Sequence, residues 1–202
     1  MGVRGLSSFL GSNLCACSDR VELTTLAQSM GRRVELAVDG MGLAYFLFRS
    51  GKFDWKYGGD MFTFSQYVID YVCTLRACHV DLFVVLDGIL ERGKQATKLS
   101  RMQAEVDDML VAAHHAAHCW SLPVTDPDRV MVLPMFVVHT LVEALREARV
   151  QLVRAEREAD GVIAAACAAR GCLAVLSNDS DFAIFDVPGF IPFWALFADR
   201  GT

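Results

Sequence analysis

The sequence lacks any uninterrupted apolar run of about 18 residues, the length that a membrane-spanning helix needs. The first ten residues, MGVRGLSSFL, lack the apolar core and the cleavage site of a secretory signal peptide. Leu6 stands where an N-myristoylation motif has Ser or Thr. We therefore expect a soluble protein with no membrane partner and no lipid anchor.

The sequence also lacks a CxxC pair, although it contains 7 cysteines. These form an odd, scattered set, and several of them lie inside apolar patterns typical of helices or strands. This usage favours reduced thiols, and hence an intracellular protein.

An excess of basic residues is missing as well. The 19 Lys and Arg residues are outnumbered by 24 Asp and Glu residues, which gives a net charge of -5. This balance argues against a generally basic nucleic-acid-binding protein, but it leaves room for a local basic patch beside an acidic metal site. Because low-complexity tracts, linkers and internal repeats are also missing, we expect a single domain over residues 1–202.

What the sequence does contain is enough apolar material for a sizeable core, since 53% of the 202 residues are hydrophobic. Short apolar segments such as VELAVDG and VDLFVVLDG alternate with helical patterns. Runs of this kind without polar alternation are typical of strands covered on both faces. The sequence thus predicts an α/β fold, a mostly parallel sheet flanked by helices, in which residues 91–134 form an inserted helical lobe. The aromatic-rich segment after Pro188 could add an edge strand, but no core partner for its end is evident.

Each of the four predicted strands is followed by one or two acidic residues. In chain order these are Asp39, Asp87, Glu156 with Glu158, and Asp179 with Asp181. Right-handed crossovers between parallel neighbours would bring all four strand ends to one edge of the sheet. We expect the strands that end at Asp39 and Asp179 to lie near the centre, and Glu156 to lie in a strand-to-helix turn.

Six converging carboxylates cannot all stay ionised unless cations compensate their charge. Carboxylate oxygens select Mg²⁺ or Mn²⁺, and two such ions can clamp the oxygens that enter and leave in phosphodiester hydrolysis. Metal-dependent phosphoryl chemistry is therefore the leading hypothesis. The alternative is that these acids are helix caps and turn formers, which Asp commonly supplies after strands.

Several motifs together carry a resemblance to a known family. These are the N-terminal MGVRGLSSFL, AVDG, KYGGD, VVLDG, EREAD and LSNDSDFAIFD. In this order they resemble the flap endonuclease/XPG superfamily of PIN-like nucleases, and within it the Asteroid family. The resemblance covers nearly the whole chain and implies a PIN-like, Rossmann-like version of the α/β fold.

Position by position, the resemblance also implies a site. The six acids above match the metal ligands of the family, and Lys94 and Arg101 match basic residues over the scissile phosphate. Tyr45 matches an aromatic that stacks near the reacting nucleotide, and Gly2 matches a processed N-terminus close to the site. No segment after Asp181 matches the C-terminal helix-turn-helix with which flap endonucleases grip duplex DNA, so we expect that region to be absent from the chain.

The function implied is a structure-specific nuclease that uses two Mg²⁺ or Mn²⁺ ions. Its partner would be DNA with flap or single-stranded character, as in DNA repair, and its location intracellular and nuclear. The alternative is a catalytically silent PIN-like scaffold that binds RNA or protein partners in gene regulation.

Other candidate residues have weaker patterns. Asp160 lies one turn after Glu156 and could join the metal site, but a partner for the helix dipole is the better interpretation. His114, His118 and Cys119 could ligate zinc, although no fourth ligand has suitable spacing. Phe53, Trp55 and Tyr57 alternate beside Lys52 and Lys56 and could stack on bases, but packing onto the sheet is the simpler interpretation.

Overall fold

The computed structural model describes residues 3, 5–12, 19–53, 59–89, 99–100, 102–104, 106–107, 110 and 133–196. Its helices are α1 (Leu6–Ser12), α2 (Leu23–Met30), α3 (Gly40–Ser50), α4 (Met61–Ala77), α5 (Val137–Glu147) and α6 (Ala159–Arg170). Its strands are β1 (Val34–Asp39), β2 (Val80–Leu86), β3 (Gln151–Arg154), β4 (Ala174–Leu176) and β5 (Phe190–Ile191). Two 3₁₀ helices cover Ser180–Ala183 and Phe193–Ala195.

The five strands form one sheet in the order β3-β2-β1-β4-β5. Every neighbouring pair is parallel. The predicted α/β class with a parallel sheet is confirmed, and β1 and β4 lie at or beside the centre as expected. Because all the strands point the same way, their carboxyl ends share one edge, which we call the acidic edge.

The sheet has an apolar core on each of its two faces, and helices cover both cores. Leu36 and Val38 of β1 belong to a core shared with α3, α4 and α5, whereas Ala37 between them faces a second core shared with α6. This alternation follows from the period of two in a strand. A strand buried on both faces reads as continuously apolar, which explains why β1 and β2 could be found in the sequence.

Two of the helices, α3 and α4, begin at a capping Asp. Asp60 caps α4, because its Oδ1 accepts hydrogen bonds of 3.1 Å from the backbone N–H groups of Phe62 and Thr63. These are two of the N–H groups that have no partner within a helix. Asp39 caps α3 in the same way, so its role as a cap and its place at the end of β1 coincide.

The segment after β4 differs from expectation. Phe193 follows the predicted edge strand β5, is fully buried, and stacks on Phe46 with ring centroids 5.1 Å apart. The expectation that this aromatic segment lacks a core partner was therefore wrong. Its partner lies on α3, and nothing in the local sequence indicates that pairing.

The inserted lobe predicted over residues 91–134 lies mostly outside the described residues and stays a prediction. The described residues between 99 and 110 have helical backbone. Among the helices in the described ranges, none has both the length and the apolar character needed to cross a membrane.

Candidate active site

At the acidic edge, hydrogen bonds connect the end of β1 to the loop that follows β4. Ser177 follows β4 and is fully buried. Its hydroxyl donates to Oδ2 of Asp39 at 3.0 Å and accepts from the backbone N–H of Asp179 at 3.0 Å. Oδ1 of Asp39 accepts from the N–H of Gly42, also at 3.0 Å. Both oxygens of Asp39 are thus oriented by neighbours, and the loop after β4 is tied to the end of β1.

Asp87 holds the neighbouring strand ends together. It follows β2, and its Oδ1 accepts a hydrogen bond of 2.9 Å from the N–H of Ala159, the first residue of α6. Gly88 approaches the turn after β3 closely, since its N–H donates to the carbonyl of Arg157 at 2.7 Å. A Cβ at Gly88 would overlap the carbonyl oxygen of Ala155. Only glycine allows this approach of the β2 end to the β3 turn.

Glu156 and Glu158 lie between β3 and α6, as the sequence predicts. Glu156 is in a bend, and its carbonyl accepts a hydrogen bond of 3.0 Å from the N–H of Ile89. Glu158 is the residue before the first helical residue of α6 and has extended backbone. The helix therefore begins after both acids.

Asp179 and Asp181 lie in a turn at the start of the 3₁₀ helix Ser180–Ala183. Asp179 caps this helix through the N–H of Asp181, 3.0 Å from its Oδ1. Oδ1 of Asp181 accepts a hydrogen bond of 2.8 Å from the N–H of Val3. The N-terminal segment therefore reaches the acidic edge, and Gly2, which lies outside the described residues, precedes this contact in the chain.

The acids influence each other's ionisation. Burial raises the pKa of Asp39, and the nearby Asp87 carboxylate raises it further, while hydrogen bonds from Gly42 and Ser177 oppose the change. Like charges that share a low-dielectric space favour proton uptake. The two strand ends therefore lie close enough to repel each other.

Asp160, in the first turn of α6, is affected by the other acids of this edge. Burial, followed by repulsion from other carboxylates of this edge, raises its pKa to about 6. The repelling groups, largest effect first, are Asp179, Asp39, Asp87 and Glu158. Asp160 therefore lies near the other carboxylates of the acidic edge, and not only near the positive end of the α6 helix dipole. The EREAD motif contains the signal, because its last acid lies one turn after its first.

The residue types at this edge fit divalent metal ions. Carboxylate oxygens are the ligands of Mg²⁺ and Mn²⁺, and the mutual repulsion of Asp39, Asp87 and Asp160 is the feature that a cation would relieve. In the described part of the chain, however, no group of three or more His, Cys, Asp or Glu side chains lies close enough to hold an ion. The charges converge on one edge, but among the residues that the structure describes no three such side chains come together as a metal site.

The remaining predicted site residues are placed as follows. Tyr45 lies on α3 and is exposed. Lys94 and Arg101 lie outside the described residues, as do His114, His118 and Cys119. Phe53 contacts the rings of Phe48, Phe64 and Tyr67, which agrees with packing rather than with a free base-binding surface.

No protein-family model matches the chain. A relative from Danio rerio named "Single-strand DNA endonuclease ASTE1" is 34% identical over 195 residues, which cover 95% of this chain and 25% of the relative. "Protein asteroid" from Drosophila melanogaster is 27% identical over 194 residues, which cover 95% of this chain and 20% of that protein. The chain is a homologue of the Asteroid proteins. It spans about a quarter of the length of the curated relatives it matches.

A third relative carries a different kind of name. "Constitutive coactivator of peroxisome proliferator-activated receptor gamma" from Homo sapiens is 25% identical over 195 residues, which cover 92% of this Asteroid homologue and 20% of the coactivator. Similar sequences thus occur in proteins named for nuclease activity and in proteins named for gene regulation.

A solved structure of the catalytic core of Rad2 in complex with DNA substrate has the same fold. Its TM-score is 0.57 at 16% identity, and the match covers 100% of this Asteroid homologue and 52% of the Rad2 chain. The similarity supports the parallel α/β fold that the sequence motifs imply.

Proposed function

We propose that this chain is the nuclease domain of a structure-specific DNA endonuclease that uses two Mg²⁺ or Mn²⁺ ions. The observation that carries the proposal is the convergence of carboxylates from four parallel strand ends on one edge, where they repel each other. The names of the Danio rerio relative and of the Rad2 complex support DNA as the substrate.

Six acids would hold the ions: Asp39, Asp87, Glu156, Glu158, Asp179 and Asp181. Bound divalent ions would supply a water that ionises near neutral pH, together with positive charge at the phosphate oxygens. The protein's own contribution is orientation. Ser177 and the N–H of Gly42 fix the Asp39 carboxylate, and the N–H of Ala159 fixes that of Asp87.

Four more residues complete the proposal. Lys94 and Arg101 would neutralise negative charge that develops on the phosphate. They lie seven residues apart in the sequence, a spacing that would put both on one face if they shared a helix. Tyr45 on α3 would stack on a nucleotide near the cleaved bond, and Gly2 would lie beside the acidic edge, next to the contact between Val3 and Asp181.

Purified protein incubated with flap, bubble and duplex DNA in Mn²⁺ tests this function. We expect cleavage of substrates that contain single-stranded DNA, and loss of that cleavage in Asp179→Ala. Asp186→Ala is the control, because Asp186 is an exposed acid outside the proposed set. Equal cleavage by the wild type and Asp179→Ala would mean that the activity comes from a contaminant or from another site.

A silent scaffold that binds RNA or protein is the second candidate. The coactivator relative and the lack of a complete metal-holding group among the described residues favour it. Titration calorimetry with Mn²⁺ separates the two candidates. A nuclease should bind Mn²⁺ and lose that binding in Asp39→Ala, whereas a scaffold should show no binding that depends on a carboxylate.

An intracellular, nuclear location is part of the same proposal. It follows from DNA as the substrate and from the pattern of the cysteines. Imaging of the tagged chain in cells would test it, and a signal confined to the secretory pathway would contradict it.

A further inference from the structure

Two neighbouring aromatic residues of the 3₁₀ helix Phe193–Ala195 have opposite environments. Phe193 is fully buried, whereas 56% of Trp194 is exposed to solvent. Burying a large aromatic side chain is a major source of folding free energy, so an indole left in water gives up that contribution. The exposed indole is thus available for contact with a ligand.

The backbone that carries Trp194 is firmly held. The N–H of Phe193 donates to Oδ1 of Asn178 at 3.0 Å, and the Phe193 ring lies nearly parallel to that of Phe46, with 16° between the planes. A surface whose backbone is already fixed loses little entropy when a ligand binds. Trp194 thus has the support that a preorganised contact needs.

The 3₁₀ helix that carries Phe193 and Trp194 borders the acidic edge. A Cβ at Gly42 would lie 2.5 Å from Oδ2 of Asp39 and 2.9 Å from Cε2 of Phe193. The carboxylate and the ring therefore face the same small space beside α3, and the residue after that ring is Trp194. Tyr45 lies three residues after Gly42, on the same side of α3, and is 38% exposed. Exposed aromatic residues are thus carried on both elements that border this space.

We propose that Trp194 is a stacking platform for an unpaired base of the DNA strand whose phosphate enters the acidic edge. The inference rests on the proposed nuclease function and adds a reason for its preference for single-stranded DNA. The bases of a duplex already stack on each other, so a flat indole has access only to an unpaired or terminal base.

The charge of the acidic edge limits the kinds of contact that a nucleic-acid strand can make there. Carboxylates repel the phosphates of a nucleic-acid strand, so contacts at this edge gain from being uncharged. Stacking needs no charge and tolerates any base, because every base has a π face. A protein surface is the competing occupant, since Trp is also common at the centre of protein interfaces.

The first measurement is the affinity for a labelled single-stranded oligonucleotide, by fluorescence anisotropy in Ca²⁺. We expect Trp194→Ala to weaken binding about 5- to 150-fold, the range that corresponds to the loss of one stacked base. Trp194→Phe keeps an aromatic ring and should lose much less. Met30→Ala should bind like the wild type, because Met30 is an exposed apolar residue where α2 ends, at the opposite edge of the sheet. Circular dichroism of each variant verifies folding.

The second measurement separates stacking from a general structural effect. A single abasic site is moved along the oligonucleotide, one position at a time. The wild type should lose affinity at one position, and Trp194→Ala should lose no further affinity when the base is missing there. This coupling arises only if the indole and that base interact directly.

Other results would overturn the inference. If Trp194→Ala binds and cleaves like the wild type, the stacking platform is wrong while the nuclease function stands, and a protein partner becomes the better occupant. A loss spread evenly over all abasic positions would likewise exclude stacking on one base. If the wild type neither binds nor cleaves any oligonucleotide, the proposed function fails and the inference fails with it.

Discussion

Carboxylates have different environments at the two ends of the parallel strands. At the edge where β1 and β2 begin, Asp81 pairs with Arg33 at 2.5 Å, and Glu35 pairs with Arg170 at 2.7 Å. At the acidic edge, no ion pair joins Asp39, Asp87 or Asp179 to another residue within the described ranges. One edge has its carboxylates neutralised by arginines, and the other keeps like charges together.

This difference affects the stability of the fold. Paired carboxylates favour the folded state by modest amounts, whereas crowded unpaired ones oppose it. A fold that keeps such a cost at the carboxyl ends of its strands, where ligands of open α/β sheets bind, has a use for the charge. Under the proposed function, divalent cations and a nucleic-acid substrate would provide that use.

The largest expected contrast between the edges is in catalysis. Asp39→Asn removes a charge from the acidic edge and should lower the cleavage rate at least about 100-fold, because metal sites are sensitive even to their supporting contacts. Asp81→Asn removes a charge from the other edge and should change the rate less than about twofold. Single-turnover cleavage in Mn²⁺ compares them, and similar losses in both variants would contradict an active site at the acidic edge.

A substitution at Gly88 should disturb the structure of the acidic edge and lower the stability of the fold. Gly88→Ala forces a side chain onto the Ala155 carbonyl and should destabilise the fold by about 2–3 kcal/mol. Gly161→Ala is the matched control. Gly161 lies in α6, where an added Cβ would meet open space, so this change should stabilise the protein slightly. Urea unfolding measures both, and equal stability of the two variants would show that the β2 end can move away.

Removing an acid from the crowded edge should stabilise the protein. The pKa of Asp160 rises from 3.8 to about 6, so between these pH values the folded chain keeps a proton that the unfolded chain has lost. The stability that goes with this proton is present at about pH 4 and is lost as the pH rises to about 6. After allowance for partial exposure, Asp160→Asn should gain about 1 kcal/mol at pH 7 and almost nothing at pH 4.

Thermal unfolding at the two pH values, with and without Mg²⁺, checks this prediction. Mg²⁺ should reduce the gain, because the cation neutralises the same repulsion in the wild type. A variant that is less stable than the wild type at pH 7 would mean that the Asp160 carboxylate has a favourable partner.

Removing an acid from the opposite edge, where carboxylates pair with arginines, should lower the stability of the protein, and only by a small amount. Arg170 makes two hydrogen bonds to Glu35, from Nε at 2.9 Å and from a terminal nitrogen at 2.7 Å. Glu35→Gln should therefore cost about 1 kcal/mol or less. Glu143→Gln breaks a more exposed pair with Arg146 and should cost less still. If Glu35→Gln stabilises the protein, the contrast between the edges is not electrostatic.

The sequence alone determined the sheet and the acids at its carboxyl edge. A strand buried on both faces is mostly apolar, so β1 and β2 are recognisable, and the acids at their carboxyl ends, Asp39 and Asp87, are recognisable with them. Parallel strands with right-handed crossovers then leave a single edge for all these ends. The motifs contributed the resemblance to the Asteroid family, which the relatives confirm.

Only the tertiary structure decided which side chains meet. Ser177 and Asp39 are 138 positions apart, and their hydrogen bond depends on β4 lying beside β1. Asp160 looks like an ordinary first-turn acid until Asp87 fixes the start of α6 among the other carboxylates. Phe193 and Trp194 are equivalent as sequence, and packing against α3 buries one and exposes the other. Local periodicity specifies strands and helices, but distances between side chains remote in sequence depend on strand order and packing, which local patterns do not encode.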